Sequence, residues 1–162
     1  MILGILTSIH LLFSLVSIGV GVQVLFSLLA GKLNEKSTVI FLRCALVASV
    51  TGLFFPLPPL LSTHWVAMVS VYASGAAFLG WCKFYMSNTW RAICAFSLTI
   101  VLGLNILFVL TQAFTDVPAW DGFASTQPDP ALLISQLAVL VLFAALGVVA
   151  ARRLRDGPVR SF

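Results

Sequence analysis

The chemistry open to this chain begins with two histidines, His10 and His64. An imidazole can ligate a metal or a haem iron, relay a proton, or hold a ring carbonyl such as that of a quinone headgroup. Around His10 the polar and small residues keep helical spacing, with Ser14, Ser17 and Gly21 at i+4, i+7 and i+11. Residues so spaced share one face of a helix. Three amides offer donors and acceptors elsewhere: Asn105 and Gln112 fall on one face at i and i+7, and Gln136 stands far along the chain. Ser70 and Ser74 form a further polar face at i and i+4. If these faces converge, they line a polar pocket of His10, Asn105, Gln112 and Gln136, with His64 at its rim. Such a pocket would suit a metal or haem, a quinone headgroup, or the path of a small molecule. The plainer account is that these groups bond one another between helices, each bond contributing about 1 kcal/mol.

Other constellations say less. Bis-histidine haem needs two facing histidines at matched depth. His10 lies inside an apolar run, whereas His64 sits at the end of one beside Trp65. An amphipathic aromatic in that position belongs at headgroup level. Cys44, Cys82 and Cys94 have no C-x-x-C spacing and stand near the ends of three different apolar runs. They read as small hydrophobes rather than a thiolate metal site. There is no G-x-S-x-G, no H-E-x-x-H and no Gly-rich phosphate loop. No catalytic residue, metal site or cofactor is therefore assigned, and an enzyme is the less favoured reading.

The elements that must position these residues follow from composition. The chain has 162 residues, 60% hydrophobic and 9% charged, with a mean hydropathy of +1.10. Soluble domains carry about a quarter charged residues, so this supply cannot build a water-facing surface. Five continuous apolar runs lie at about 3–30, 38–60, 64–86, 90–115 and 131–151. Each is long enough to cross a hydrocarbon core of about 30 Å. Each must be helical, because lipid leaves every backbone polar group to be satisfied within its own segment. The fold class expected is all-α, a polytopic bundle of five transmembrane helices in a single domain with a basic tail at 152–162. Pro56, Pro58 and Pro59 end the second helix near Phe55, and Thr63 is the expected N-cap of the third.

Charge fixes the expected orientation. With the N-terminus outside, the inner face receives Lys32, Lys36, Arg43 by snorkelling, Lys83, Arg91, Arg152, Arg153, Arg155 and Arg160, which is every Lys and Arg in the chain. The outer connections receive Asp116, Asp121 and Asp129 instead. Such a division follows the positive-inside rule and predicts N-out, C-in. The first run lacks a positive n-region and is too long for a signal peptide, so it is expected to be retained. The polar pocket then opens outward. Basic residues at the ends of apolar runs orient a membrane protein and do not form a nucleic-acid face. The basic tail would also attract anionic inner-leaflet lipid, at about 1 kcal/mol per charge.

The succession "SIHLLFSLVSIGVGV", "LVASVTGLFFPLPP", "WRAICAFSLTIVLGLNILFVLTQAF", "VPAW", "STQPDP" and "QLAVLVLFAALGVVAARR" resembles a family of small bacterial multi-pass inner-membrane proteins with five helices. The resemblance runs along nearly the whole chain. Its most specific parts are T-G-x-x-F-P at Thr51–Pro56 and N-x-x-x-x-x-x-Q-x-F at Asn105–Phe114. It implies the same architecture and a shared role for His10, Asn105, Gln112 and the Thr126–Gln127 pair, while the expectation of a bacterial plasma membrane comes from the basic tail and the compact form. It carries no activity with it. After Thr126–Gln127 the family pattern continues acidic-Pro-Pro-aromatic, where this chain has Pro128-Asp129-Pro130-Ala131.

Two functional readings stand. The first is a non-enzymatic accessory or structural membrane component, in contact with the bilayer and with a membrane-protein partner or a second copy. The second is a membrane protein that binds a small molecule or a redox cofactor in the outward-facing pocket around His10. A transporter has less support, since the chain has no inverted repeat and no pair of broken helices.

Overall fold

The computed structural model describes residues 2–53, 62–82, 88–116 and 130–156. Among these the regular elements are all α-helices: α1 Ile2–Leu29, α2 Glu35–Leu53, α3 Ser62–Cys82, α4 Asn88–Asp116 and α5 Pro130–Asp156. Four of them contain stretches long and apolar enough to cross a membrane: Ser8–Leu29, Glu35–Leu53, Thr89–Leu110 and Leu133–Asp156. The corresponding stretch of α3 is shorter, Val66–Cys82. The whole of α3 nevertheless has 21 residues. At the helical rise per residue, that is about the thickness of a hydrocarbon core.

The turn between α1 and α2 shows how local chemistry sets the ends. Gly31 takes a left-handed conformation (φ 67°), its N–H donating to the Leu28 carbonyl at 2.9 Å and the Lys32 N–H to the Ser27 carbonyl at 2.9 Å. This is the Schellman termination, which a side chain would strain at the Gly31 position. Asn34 then caps α2. Its Oδ1 accepts from the Ser37 N–H at 3.3 Å. Glu35 in the first turn suits the positive end of the helix dipole. The cap explains why α2 begins at Glu35, upstream of the apolar run that starts at 38.

Other bounds also move outward from the apolar runs. Pro130 opens α5 at a position where its missing N–H costs nothing. At the far end α5 continues to Asp156, so Arg152, Arg153 and Arg155 are helical rather than part of a tail beginning at 152. Arg153 explains the extension, because its Nη1 donates to the Leu29 carbonyl at 2.8 Å. That bond satisfies an orphan carbonyl at the end of α1. α3 includes Ser62, which puts Thr63 inside its first turn rather than at its cap. The proline cluster, Phe55, Asp121, Asp129 and the Thr126–Gln127 pair lie outside the described residues.

Consecutive helices run antiparallel. His10 of α1 meets Thr51 of α2, and Gln23 meets Ser37. Ser49 of α2 meets Ser70 of α3, Cys94 of α4 meets Ala77 of α3, and Gly103 of α4 meets Phe143 of α5. This up-and-down order gathers the starts of α1, α3 and α5 with the ends of α2 and α4. It gathers Lys32, Lys36, Arg91, Arg152, Arg153 and Arg155 at the opposite, basic end. α4 is the central helix, with most of its membrane-length stretch buried, while that of α5 is mostly exposed.

The core runs through Val24, Leu28, Phe41, Ala45, Leu98, Val101, Leu102 and Ala150, all nearly or fully buried. Outward-facing positions carry Leu12, Phe26, Tyr72, Ile134 and Leu137, each exposed. In water such a surface would aggregate, whereas against acyl chains it is the expected boundary of a membrane bundle.

Candidate functional site

The polar residues of α1 lie on its buried face. His10 is 6% exposed, Ser14 2% and Ser17 0%, with Gly21 buried below them. Gly21 is required by packing, because a Cβ there would stand 2.7 Å from both Leu102 Cδ1 and Phe41 Cε2. That close approach of α1 to α2 and α4 brings the next turns of α1 within bonding reach of their polar groups. Asn105 Nδ2 on α4 donates to Ser17 Oγ at 3.2 Å.

His10 is held on three sides. Its Nδ1 lies 3.0 Å from Thr51 Oγ1 at the end of α2. Thr51 Oγ1 is also 2.8 Å from the Val47 carbonyl and 3.0 Å from that of Ala48, so its one proton goes back into its own helix. The ring nitrogen facing it is then the donor, which places a proton on Nδ1. Phe108 of α4 meets the imidazole edge-on, with centroids 4.8 Å apart and planes at 71°. Gly52 closes the third side: a Cβ added there would lie 3.4 Å from His10 Cε1 and 3.9 Å from Ala67 Cβ.

Beside this cluster is a cavity of about 30 Å³, lined by His10, Ser49, Gly52, Ser70, Asn105 and Phe108 together with aliphatic residues. Ser49 Oγ and Ser70 Oγ join α2 to α3 across one wall at 2.7 Å, and Ser49 also donates to the Ala45 carbonyl at 2.8 Å. A buried water needs about 10–15 Å³ of such volume and a benzene ring about 150 Å³. Among the described residues the space therefore suits about one or two waters.

Of the five residues expected to form the pocket, the structure brings His10 and Asn105 to this one cavity. Gln136 is half-buried on α5 and is not among the described residues that line it. His64 and Gln112 stand on α3 and α4, and their side chains lie outside the described residues. Thr51, Ser49 and Gly52 join the cluster without being singled out by the polar pattern of the sequence. Thr51 and Gly52 do open the T-G-x-x-F-P stretch that carries the family resemblance, the one feature that marks them.

The cysteines are all free: Cys94 is buried with its Sγ 3.7 Å from the Ala77 carbonyl, Cys44 is half-buried and Cys82 is exposed. Among the described residues no three His, Cys, Asp or Glu side chains gather in a way that could hold a metal ion. No protein-family model, curated protein sequence or solved structure matches the chain, so the site rests on its own geometry.

Proposed function

We propose that this protein is a non-enzymatic accessory or structural component of a membrane, oriented N-out and C-in, and that its buried polar residues serve helix association. The observation that carries this reading is that these residues bond one another between helices. His10 with Thr51, Ser49 with Ser70 and Asn105 with Ser17 tie α1, α2, α3 and α4 together around a cavity of about 30 Å³. In lipid the hydrophobic effect gives helices no reason to associate, so packing and a few interhelical hydrogen bonds must supply it. The exposed apolar faces of α1 and α5 leave room for lipid, a membrane-protein partner or a second copy.

The division of charge supports an orientation with the basic end inside, and the membrane proposed is a bacterial plasma membrane. Extraction in mild detergent should recover the protein with an associated membrane chain or as a defined homo-oligomer. Recovery as a clean monomer, with no effect of its loss on the assembly of any other membrane protein, would count against the reading.

A second reading has one specific observation in its favour. The buried imidazole of His10 and the amide of Asn105 share the wall of a cavity of water size. A bound water, or a ligand no larger, would meet both. In that case His10→Ala and Asn105→Ala would abolish binding while expression and thermal stability stayed near the parent values. Loss of stability alone assigns the cluster to packing.

A further inference from the structure

The α4–α5 seam is closed at Gly103 and Gly147 and open at its basic end. Gly103 admits Phe143 so tightly that a Cβ would stand 2.7 Å from the Phe143 Cβ. One step along, Gly147 admits Phe96 at 2.9 Å from its Cδ2. Beyond that contact the facing residues are Ala92 and Ala151, too small to fill the space, and a cleft of about 320 Å³ remains. Ligand pockets span about 300–1,000 Å³, so this volume is sufficient for a ligand group.

The walls of the cleft differ along its length. Ile93, Phe96 and Val148 make it apolar, while Arg152 and Arg155 stand at its basic end. On α5, Val148, Ala151, Arg152 and Arg155 follow at i, i+3, i+4 and i+7. The apolar wall and both arginines therefore share one stripe. Val148 is 43% exposed on the lipid-facing side of the peripheral helix, so the cleft opens to acyl chains. Arg155 Nε lies 3.3 Å from Asp156 Oδ1 in an exposed pair. Such a pair contributes little and leaves the remaining guanidinium donors available. Arg152 is exposed and Arg153 is committed to the Leu29 carbonyl, so the two arginines at the cleft are a distinct pair within the basic end.

We infer that the cleft between α4 and α5 is a binding site for one anionic phospholipid, its phosphate on Arg152 and Arg155 and part of an acyl chain along Ile93, Phe96 and Val148. Guanidinium groups grip phosphate through paired donors, and basic pockets between membrane helices recognise anionic headgroups in this way. The apolar slot adds what diffuse attraction to a basic surface cannot: a requirement for the chain as well as the charge.

The test uses the full chain in mild detergent, with thermal unfolding followed as lipid is added. Dioleoylphosphatidylglycerol should raise the midpoint in a saturable way, and dioleoylphosphatidylcholine or inorganic phosphate at equal concentration should not. The double substitution R152Q/R155Q should weaken half-saturation at least tenfold. So should Val148→Trp, which blocks the slot at an exposed position without removing charge. Arg43→Gln, exposed on α2 and away from the cleft, should respond like the parent. One phosphatidylglycerol retained per chain in native mass spectrometry supports the site independently of any variant. Equal responses to both lipids, a full response to phosphate alone, an undiminished response in Val148→Trp, or an equal loss in Arg43→Gln would each overturn it.

Discussion

The seam between α4 and α5 and the cluster around His10 solve the same problem by different means. Along the seam, two glycines let aromatic side chains press against backbone, with Phe143 in contact at Gly103 and Phe96 at Gly147. Around His10, hydrogen bonds and one edge-on ring contact join α1 to α2 and α4 across a small cavity. Close packing and interhelical hydrogen bonds are the two main attractive forces between helices in lipid. Their division here teaches where the structure tolerates change. A contact limited by backbone approach cannot relax, whereas a polar cluster beside a cavity has room to do so.

The largest effect is expected at the seam. Gly103→Ala would place a methyl 2.7 Å from both Cβ and Cγ of Phe143, and the Cβ cannot swing away without moving the helix. Thermal or denaturant unfolding in detergent should show a loss of about 1–3 kcal/mol. Gly147→Ala meets the ring atoms of Phe96 at 2.9 and 3.2 Å instead. Phe96 is 38% exposed and can rotate, so the loss should be clearly smaller than at Gly103. If the two glycines respond equally, the distinction drawn from backbone approach is wrong.

At the polar cluster the expected losses shrink. His10→Ala removes the Thr51 hydrogen bond and the Phe108 contact, which together predict about 1–2 kcal/mol. Asn105→Ala removes the bond to Ser17 and predicts about 0.6 kcal/mol, the average for interhelical hydrogen bonds in a membrane protein. No loss is expected from Gly52→Ala. Its new methyl makes ordinary contact with His10 at 3.4 Å. The helix gains by losing a glycine, so stability should hold or rise by up to about 1 kcal/mol. A sharp loss of any ligand response in Gly52→Ala, with stability intact, would favour the small-ligand reading over packing.

How much of this was legible in the sequence depends on the range of the cause. The number and character of the helices follow from unbroken apolar runs. The inward turn of His10 was readable because Ser14, Ser17 and Gly21 repeat on its face. Asn105 was marked by being an amide inside an apolar run, although its partner Ser17 is 88 residues away. Thr51 carried no such mark, since a threonine bonding back into its own helix is common in membrane spans. Asn34 and Arg153 moved two helix ends beyond their apolar runs. Hydropathy records burial of side chains, whereas these ends are set by capping and by an arginine reaching a distant carbonyl. The cleft at Arg152 and Arg155 was less legible still, because it comes from what Ala92 and Ala151 fail to fill once two glycines have drawn the helices together.

The central claim is that His10 and its neighbours hold helices together. A double-mutant cycle of His10→Ala and Thr51→Val, read by reversible unfolding in detergent, tests it most directly. The account predicts a coupling of about 0.6–1.7 kcal/mol between the two positions, from the average to the maximum found for interhelical hydrogen bonds in a membrane protein. Additive losses with no coupling, or no loss from either substitution, would contradict it.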